Sequence, residues 1–165
     1  MPRKPTCLFV GRFQPFHKGH LLVVQGMAKM CDKTIIAIGS TNKKDKDNPY
    51  TAEERRDMIQ RALQAVDIIP MHDVSFVEMP DVSSDDEWTR QLLEKTGDID
   101  LVWTGDENVK VCFEKKKTEV KWIKEVPGIS ATEVRKRVRE GGDWKALVPP
   151  EVASSMGAIG AERIK

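Results

Sequence analysis

The chain has 165 residues, a length that suits one domain with a sizeable core. Lys and Arg total 27 against 26 Asp and Glu, and the resulting net charge of +1 leaves no basic footprint for general nucleic-acid binding. No stretch approaches the roughly 20 apolar residues of a membrane span, nothing resembles a secretory signal, and Cys7, Cys31 and Cys112, widely spaced, read as reduced core thiols of a cytoplasmic protein.

Cys7–Val10 is a short apolar run of the kind that forms a strand buried on both faces. The next ten residues, Gly11-Arg12-Phe13-Gln14-Pro15-Phe16-His17-Lys18-Gly19-His20, place a tight turn and two imidazoles just ahead of a helix. There the free backbone N–H groups and the positive end of the helix dipole face the same point as the His and Lys side chains, which suits phosphate. Two such histidines can also pair on a metal, but the segment has no Asp, Glu or Cys to complete a zinc site. Leu21, Leu22, Val24, Met27, Ala28 and Cys31 then recur at helical spacing, and Thr34–Gly39 predicts a second strand. A strand, a helix and a strand in this order make a right-handed parallel crossover.

Thr41–Tyr50 is a polar, lysine-rich segment, by composition a solvated loop, although its lysines leave the end of a strand and can fold over a phosphate. Thr51 and Glu54 form a capping box for a helix that carries Met58, Ile59, Ala62, Leu63 and Val66 inward. Arg55 and Arg56 in its first turn oppose the helix dipole unless an anion or acidic partner sits close. Val74–Met79 and Leu101–Thr104 predict two further strands, with a helix over Glu87–Glu94 between them. Four strands alternating with helices predict an α/β fold: a single-domain, Rossmann-like open parallel sheet with helices on both faces. Ligands of such sheets bind beyond the carboxyl ends of the strands, where Gly11, Gly39 and Gly105 fall.

From about residue 130 the chain is helical in pattern. Ser130 and Glu133 form a second capping box, and Gly141-Gly142 stops the helix. The hydroxyls of Ser130 and Thr132, with Arg135, can face an anion, while taken alone the segment reads as the solvent face of a basic helix. Pro149 or Pro150 opens a last helix.

The segment G-R-F-Q-P-F-H-K-G-H resembles the nucleotidyltransferase signature in which G-x-F-x-P-x-H-x-G-H grips ATP. The later I-S-A-T-E-V-R, residues 129–135, is similar to the I-S-x-T-x-x-R motif that closes over the β- and γ-phosphates in the same superfamily. Ile38-Gly39-Ser40, Asn48 through Arg55, the Trp88 region, Gly142-Asp143-Trp144 and the tail from Val148 to Ile164 extend the likeness. Over nearly its whole length the chain resembles the archaeal-type nicotinamide-nucleotide adenylyltransferases.

The resemblance implies transfer of AMP from ATP to nicotinamide mononucleotide, giving NAD and pyrophosphate without a protein nucleophile. It implies catalytic roles for His17, His20, Arg12 and Arg135, and ATP contacts from Gly11, Phe13, Lys18, Gly105, Asp106, Ser130 and Thr132. It implies mononucleotide contacts from Gly39, Ser40, Lys46, Asp85 and Trp88. Phosphate should favour protonated imidazoles, Gly105 should allow a close approach to adenine, and Mg2+ should arrive with ATP, held mostly by phosphate and water rather than by protein ligands. The implied partners are ATP, nicotinamide mononucleotide and further copies in a homo-oligomer, with no nucleic acid and no membrane. Trp88 is the candidate platform for a cationic pyridine ring, the alternative being a core Trp.

Two departures stand out: the family commonly has Asn where this chain has Asp85, and S-G-N where it has Thr104-Gly105-Asp106. An ionised Asp85 only accepts hydrogen bonds, which favours the nicotinamide amide over the nicotinate acid. The departures leave open another acceptor, such as phosphopantetheine, riboflavin phosphate or a polyol phosphate. A noncatalytic nucleotide sensor is the reading from another class.

Overall fold

The computed structural model describes residues 3–165. In chain order the elements are β1 (Thr6–Gly11), α1 (Lys18–Met30), β2 (Lys33–Ile38), α2 (Ala52–Ala65), β3 (Asp73–Glu78), α3 (Asp85–Thr96), β4 (Leu101–Thr104) and α4 (Glu107–Lys115). They continue with β5 (Glu119–Trp122), α5 (Ala131–Glu140), a 3-10 turn (Lys145–Leu147) and α6 (Pro150–Ile159). The strands form one parallel sheet in the order β3-β2-β1-β4-β5. This is the predicted α/β, Rossmann-like architecture.

Alternation along the central strands builds two cores. Cys7, Phe9, Ile36, Ile38, Leu101 and Trp103 face one side and pack under α1, α2, α5 and α6. Leu8, Ile35, Ala37 and Val102 face the other and pack under α3 and α4. Strand order reverses beside β1, so the chains leaving β1 and β4 diverge and open a crevice at the carboxyl edge of the sheet.

Four of the five strands follow the predicted positions to within a residue or two. The prediction lacks β5, whose Glu119, Lys121 and Trp122 are exposed at the sheet edge and supply no apolar run. It also lacks α4, a nine-residue helix that buries only Val109, Cys112 and Phe113. Val66, expected inside, is the C-cap of α2 and 39% exposed. Thr51 and Glu54 make the full capping box, but Ser130 makes half of one: its Oγ accepts from the Glu133 N–H, while the Glu133 carboxylate turns to Arg137 at 3.1 Å.

The expectation of three reduced thiols is corrected at two positions, because Cys7 and Cys31 form a disulfide. Spacing along the chain conceals this, since α1 runs back across the sheet and returns its C-cap, Cys31, to the start of β1. The Asp32 N–H donates to the Pro5 carbonyl at 2.9 Å at the same junction. Cys112 is a buried free thiol. No helix among the described residues is long and apolar enough to cross a membrane.

Candidate active site

The turn after β1 is held by close packing. A Cβ on Gly11 would lie 2.9 Å from the Phe13 ring, and one on Gly19 would lie 2.9 Å from the His17 ring, so both positions need glycine. His17 caps α1: its Nδ1 accepts from the Gly19 and His20 N–H groups at 3.1 and 3.3 Å. His20 answers, its Nδ1 accepting from the His17 N–H at 3.0 Å. The two rings stack with centroids 3.5 Å apart, and His20 also packs against Phe13 and Phe16.

A ring nitrogen that accepts carries no proton, so both imidazoles are neutral and protonated at Nε2, an assignment made from the hydrogen bonds. Burial agrees, lowering His17 from 6.5 to about 4 and His20 well below the usual range; a proton on His17 would lower His20 further. The expectation that bound phosphate favours the protonated imidazole concerns the phosphate complex. A second proton on either ring would sit on Nδ1 and break the cap, which leaves neutral Nε2–H donors for an anion.

The two sequence motifs meet. Arg135, on the second turn of α5, is buried, and its Nη1 donates to the Gln14 carbonyl at 2.7 Å across 121 positions of sequence. Its Nη2 lies 3.4 Å from Thr132 Oγ1, and Nε is buried without a hydrogen-bond partner among the described residues. Burial lowers the Arg135 pKa, and the Asp47 carboxylate works against that. Ser130 is the N-cap of α5, and Ile129 approaches the start of α1 at Gly19.

Beside β1 an open cleft of about 460 Å³ runs along the carboxyl ends of the strands. It is lined by Gly11, Arg12, Gly39, Ser40, Asp85, Trp88 and Asp106 of the expected set. Ser40 takes a left-handed backbone (φ 52) and donates its Oγ hydrogen bond to Asp81 at 2.9 Å. Trp88 is half-buried and Asp85 exposed, so a planar platform and a carboxylate share one wall of the cleft.

Several expected contacts fall elsewhere. Phe13 is 1% exposed with its ring in the first core, so only its backbone can meet a ligand. At Gly105 the chain itself comes close, and a Cβ there would stand 3.3 Å from the Ile123 carbonyl. Lys18 is exposed beside Lys145 and α6, away from the cleft. Lys46 lies outside the cleft altogether: a turn at Asp45–Asn48 swings it toward α5, where Arg139 Nη2 donates to its carbonyl at 3.1 Å. Asp106 lines the cleft but spends Oδ1 on capping α4.

Sequence reasoning missed three buried groups that shape the site. Arg55 meets no anion; its Nη1 donates to the Arg12 and Gly39 carbonyls at 2.6 and 2.7 Å, tying the ends of β1 and β2 together. Burial lowers its pKa to about 10. Gln14 is 1% exposed, and its amide exchanges hydrogen bonds at 3.0 Å with both backbone groups of Tyr50. The poor fit of Arg55 to its helix turn was the one local signal; Gln14 and Tyr50 left none.

Residues 8–137 match the cytidylyltransferase-like family. Nicotinamide-nucleotide adenylyltransferase of Thermococcus kodakarensis is 36% identical over 164 residues, covering 96% of this chain and 86% of its own. The protein of that name from Methanococcus aeolicus is 37% identical over 166 residues, covering 96% and 92%. Among solved structures, a bifunctional NMN adenylyltransferase/ADP ribose pyrophosphatase from Francisella tularensis superposes with a TM-score of 0.79 at 24% identity. That likeness shows the fold, over 90% of this chain and 46% of the larger one. The same bifunctional protein complexed with AMP and a manganese ion matches with a TM-score of 0.73 at 25% identity, covering 88% and 44%. The chain belongs to the cytidylyltransferase-like nucleotidyltransferases and, within them, to the archaeal nicotinamide-nucleotide adenylyltransferases.

Proposed function

We propose that the protein joins nicotinamide mononucleotide to the adenylyl group of ATP, forming NAD and pyrophosphate. An anionic oxygen of the mononucleotide phosphate bonds to the α-phosphorus of ATP, the bond from that phosphorus to the bridging oxygen breaks, and pyrophosphate leaves with the electron pair. No protein nucleophile is required. The work left to the chain is alignment and stabilisation of charge on the transferring and departing oxygens.

The observation that carries this reading is the hydrogen bond from Arg135 to the Gln14 carbonyl, which brings both phosphate motifs to one place. His17 and His20 offer Nε2–H donors at the start of α1, and Arg12 stands at the mouth of the cleft. Arg135 lies at the same junction, with Nη1 on the Gln14 carbonyl and Nε buried without a hydrogen bond among the described residues. The acceptor lies in the cleft with its pyridinium ring against Trp88. Asp81, Asp85 and Asp106 make that cleft acidic, which suits a cationic ring bearing an amide and opposes the carboxylate of the acid form.

The divalent cation, Mg2+ in this reading, enters as part of the nucleotide substrate. Its role there is to neutralise phosphate charge, and the described residues hold no cluster of three His, Cys, Asp or Glu to cage it. A cytoplasmic location is carried over from the family resemblance. The Cys7–Cys31 bond removes the thiol argument for that location. Assembly as a homo-oligomer is carried over from the family resemblance.

Purified protein with ATP, Mg2+ and nicotinamide mononucleotide should release pyrophosphate and NAD in equal amounts. Absence of release with this acceptor and with nicotinate mononucleotide, phosphopantetheine and riboflavin phosphate would leave a nucleotide sensor in its place.

A further inference from the structure

The loop between β2 and α2 doubles back at residues 45–48. Asp45 Oδ1 accepts there from the Asp47 and Asn48 N–H groups and from Asn48 Nδ2. The turn hangs Asp47 over α5, where its carboxylate accepts from Arg139 Nη2 at 2.9 Å and lies 3.8 Å from Arg135 Nε. That Nε is the buried group left without a hydrogen bond among the described residues. In the same turn Asn48 Oδ1 lies 3.4 Å from Arg12 Nη1. The loop thus sets acceptors against Arg12 and Arg135, two of the cations assigned above to ATP.

We propose that Asp47 is a resident anion on the polyphosphate subsite, displaced by ATP, and that it sets the affinity for the nucleotide. The inference rests on the assignment of Arg135 to ATP. Carboxylate and phosphate oxygens compete for the same guanidinium hydrogens, and a carboxylate left in place would repel the incoming triphosphate. The contact is built to yield. The Asp47 side chain is 54% exposed and its distance to Nε is too long for a hydrogen bond, so little is lost when it leaves Arg135. Arg139 can hold the rest of the loop meanwhile, because it also donates to the Lys46 carbonyl and, at 2.7 Å, to the Ile164 carbonyl near the end of the chain.

Titration calorimetry with ATP and Mg2+, without acceptor, tests this on the intact protein. Asp47→Asn keeps the shape and removes the charge. It should bind ATP roughly three- to fivefold more tightly than wild type at low salt, the scale of one exposed ion pair, with a smaller gain at high salt. Its affinity for nicotinamide mononucleotide should not change. Equal or weaker ATP binding by a variant that melts like wild type overturns the inference. So does an ATP-bound structure of the wild type with Asp47 still within 4 Å of Arg135, a readout that needs no variant. Wild-type protein that binds ATP and releases pyrophosphate while Asp47→Asn gains nothing removes this inference alone. Wild-type protein that binds no ATP removes the proposed function with it.

Discussion

His17 and His20 cap one another: each Nδ1 accepts the backbone N–H of the other residue, at 3.3 and 3.0 Å, beneath stacked rings. The start of α1 is therefore held by the very groups proposed to face the anion, which ties stability and the proposed nucleotide binding to one protonation state.

That coupling sets a pH dependence. Unfolded histidine takes up a proton near 6.5, whereas folded His17 resists until about pH 4, and His20 shifts the same way. Below 6.5 the unfolded chain binds more protons, so stability is full above that value and falls as pH drops toward 4, by roughly 3 kcal/mol from His17. Urea unfolding between pH 4 and 7.5 measures it. His17→Asn, which keeps a capping acceptor, should flatten the profile; an unchanged slope would place the titration elsewhere.

His20→Ala should reduce turnover by about 10²- to 10³-fold, the scale of one lost donor to a developing oxyanion. Stability should fall by roughly 2–3 kcal/mol, one lost cap plus the packing of the ring on Phe13, Phe16 and His17. Steady-state kinetics beside circular dichroism separates the two. A loss under tenfold in folded protein means that His20 does not touch the reacting phosphate.

Arg55→Met removes a guanidinium from the buried Gly39 carbonyl and the partly buried Arg12 carbonyl. The expected loss is roughly 2–4 kcal/mol, with a fall in kcat/KM because both carbonyls belong to the site. Arg56→Ala, one residue on, loses only an exposed contact over Phe76 and should shift stability by under about 0.5 kcal/mol. Comparable losses in both variants would contradict the carbonyl-binding role.

Asp85→Asn should lower the preference for the amide mononucleotide over the acid by about tenfold, since one like charge no longer faces the acid's carboxylate. The ratio of kcat/KM on the two acceptors is the readout, and a ratio unmoved by the change takes Asp85 out of ring recognition.

Reducing the Cys7–Cys31 bond reopens a loop of 24-residue separation. It should cost about 3 kcal/mol, a fall in melting temperature of roughly 6–12 °C. Cys31→Ser should abolish the response to reductant, and Cys112→Ser should retain it. A melting temperature insensitive to reductant in wild type would show that the thiols are free.

What could be read from the chain alone is what neighbours in sequence decide. The buried strands, the cap at Thr51, the stop at Gly141 and the start at Pro150 rest on short apolar runs, hydroxyl chemistry, glycine's freedom and ring geometry, all expressed within a few residues. The turn after β1 belongs with them, because its glycines and imidazoles act on one another. The edge strand β5 escaped, because pairing on a single side asks for no apolar run. Tertiary structure alone decided where long charged side chains end. Lys46 and Asp47 are adjacent, yet a turn set by Asp45 carries both away from the cleft and lays one carboxylate against α5. Arg55 found carbonyls instead of an anion, and Cys31 found Cys7, because a helix folding back over a sheet brings together groups whose separation in sequence says nothing of their distance in space.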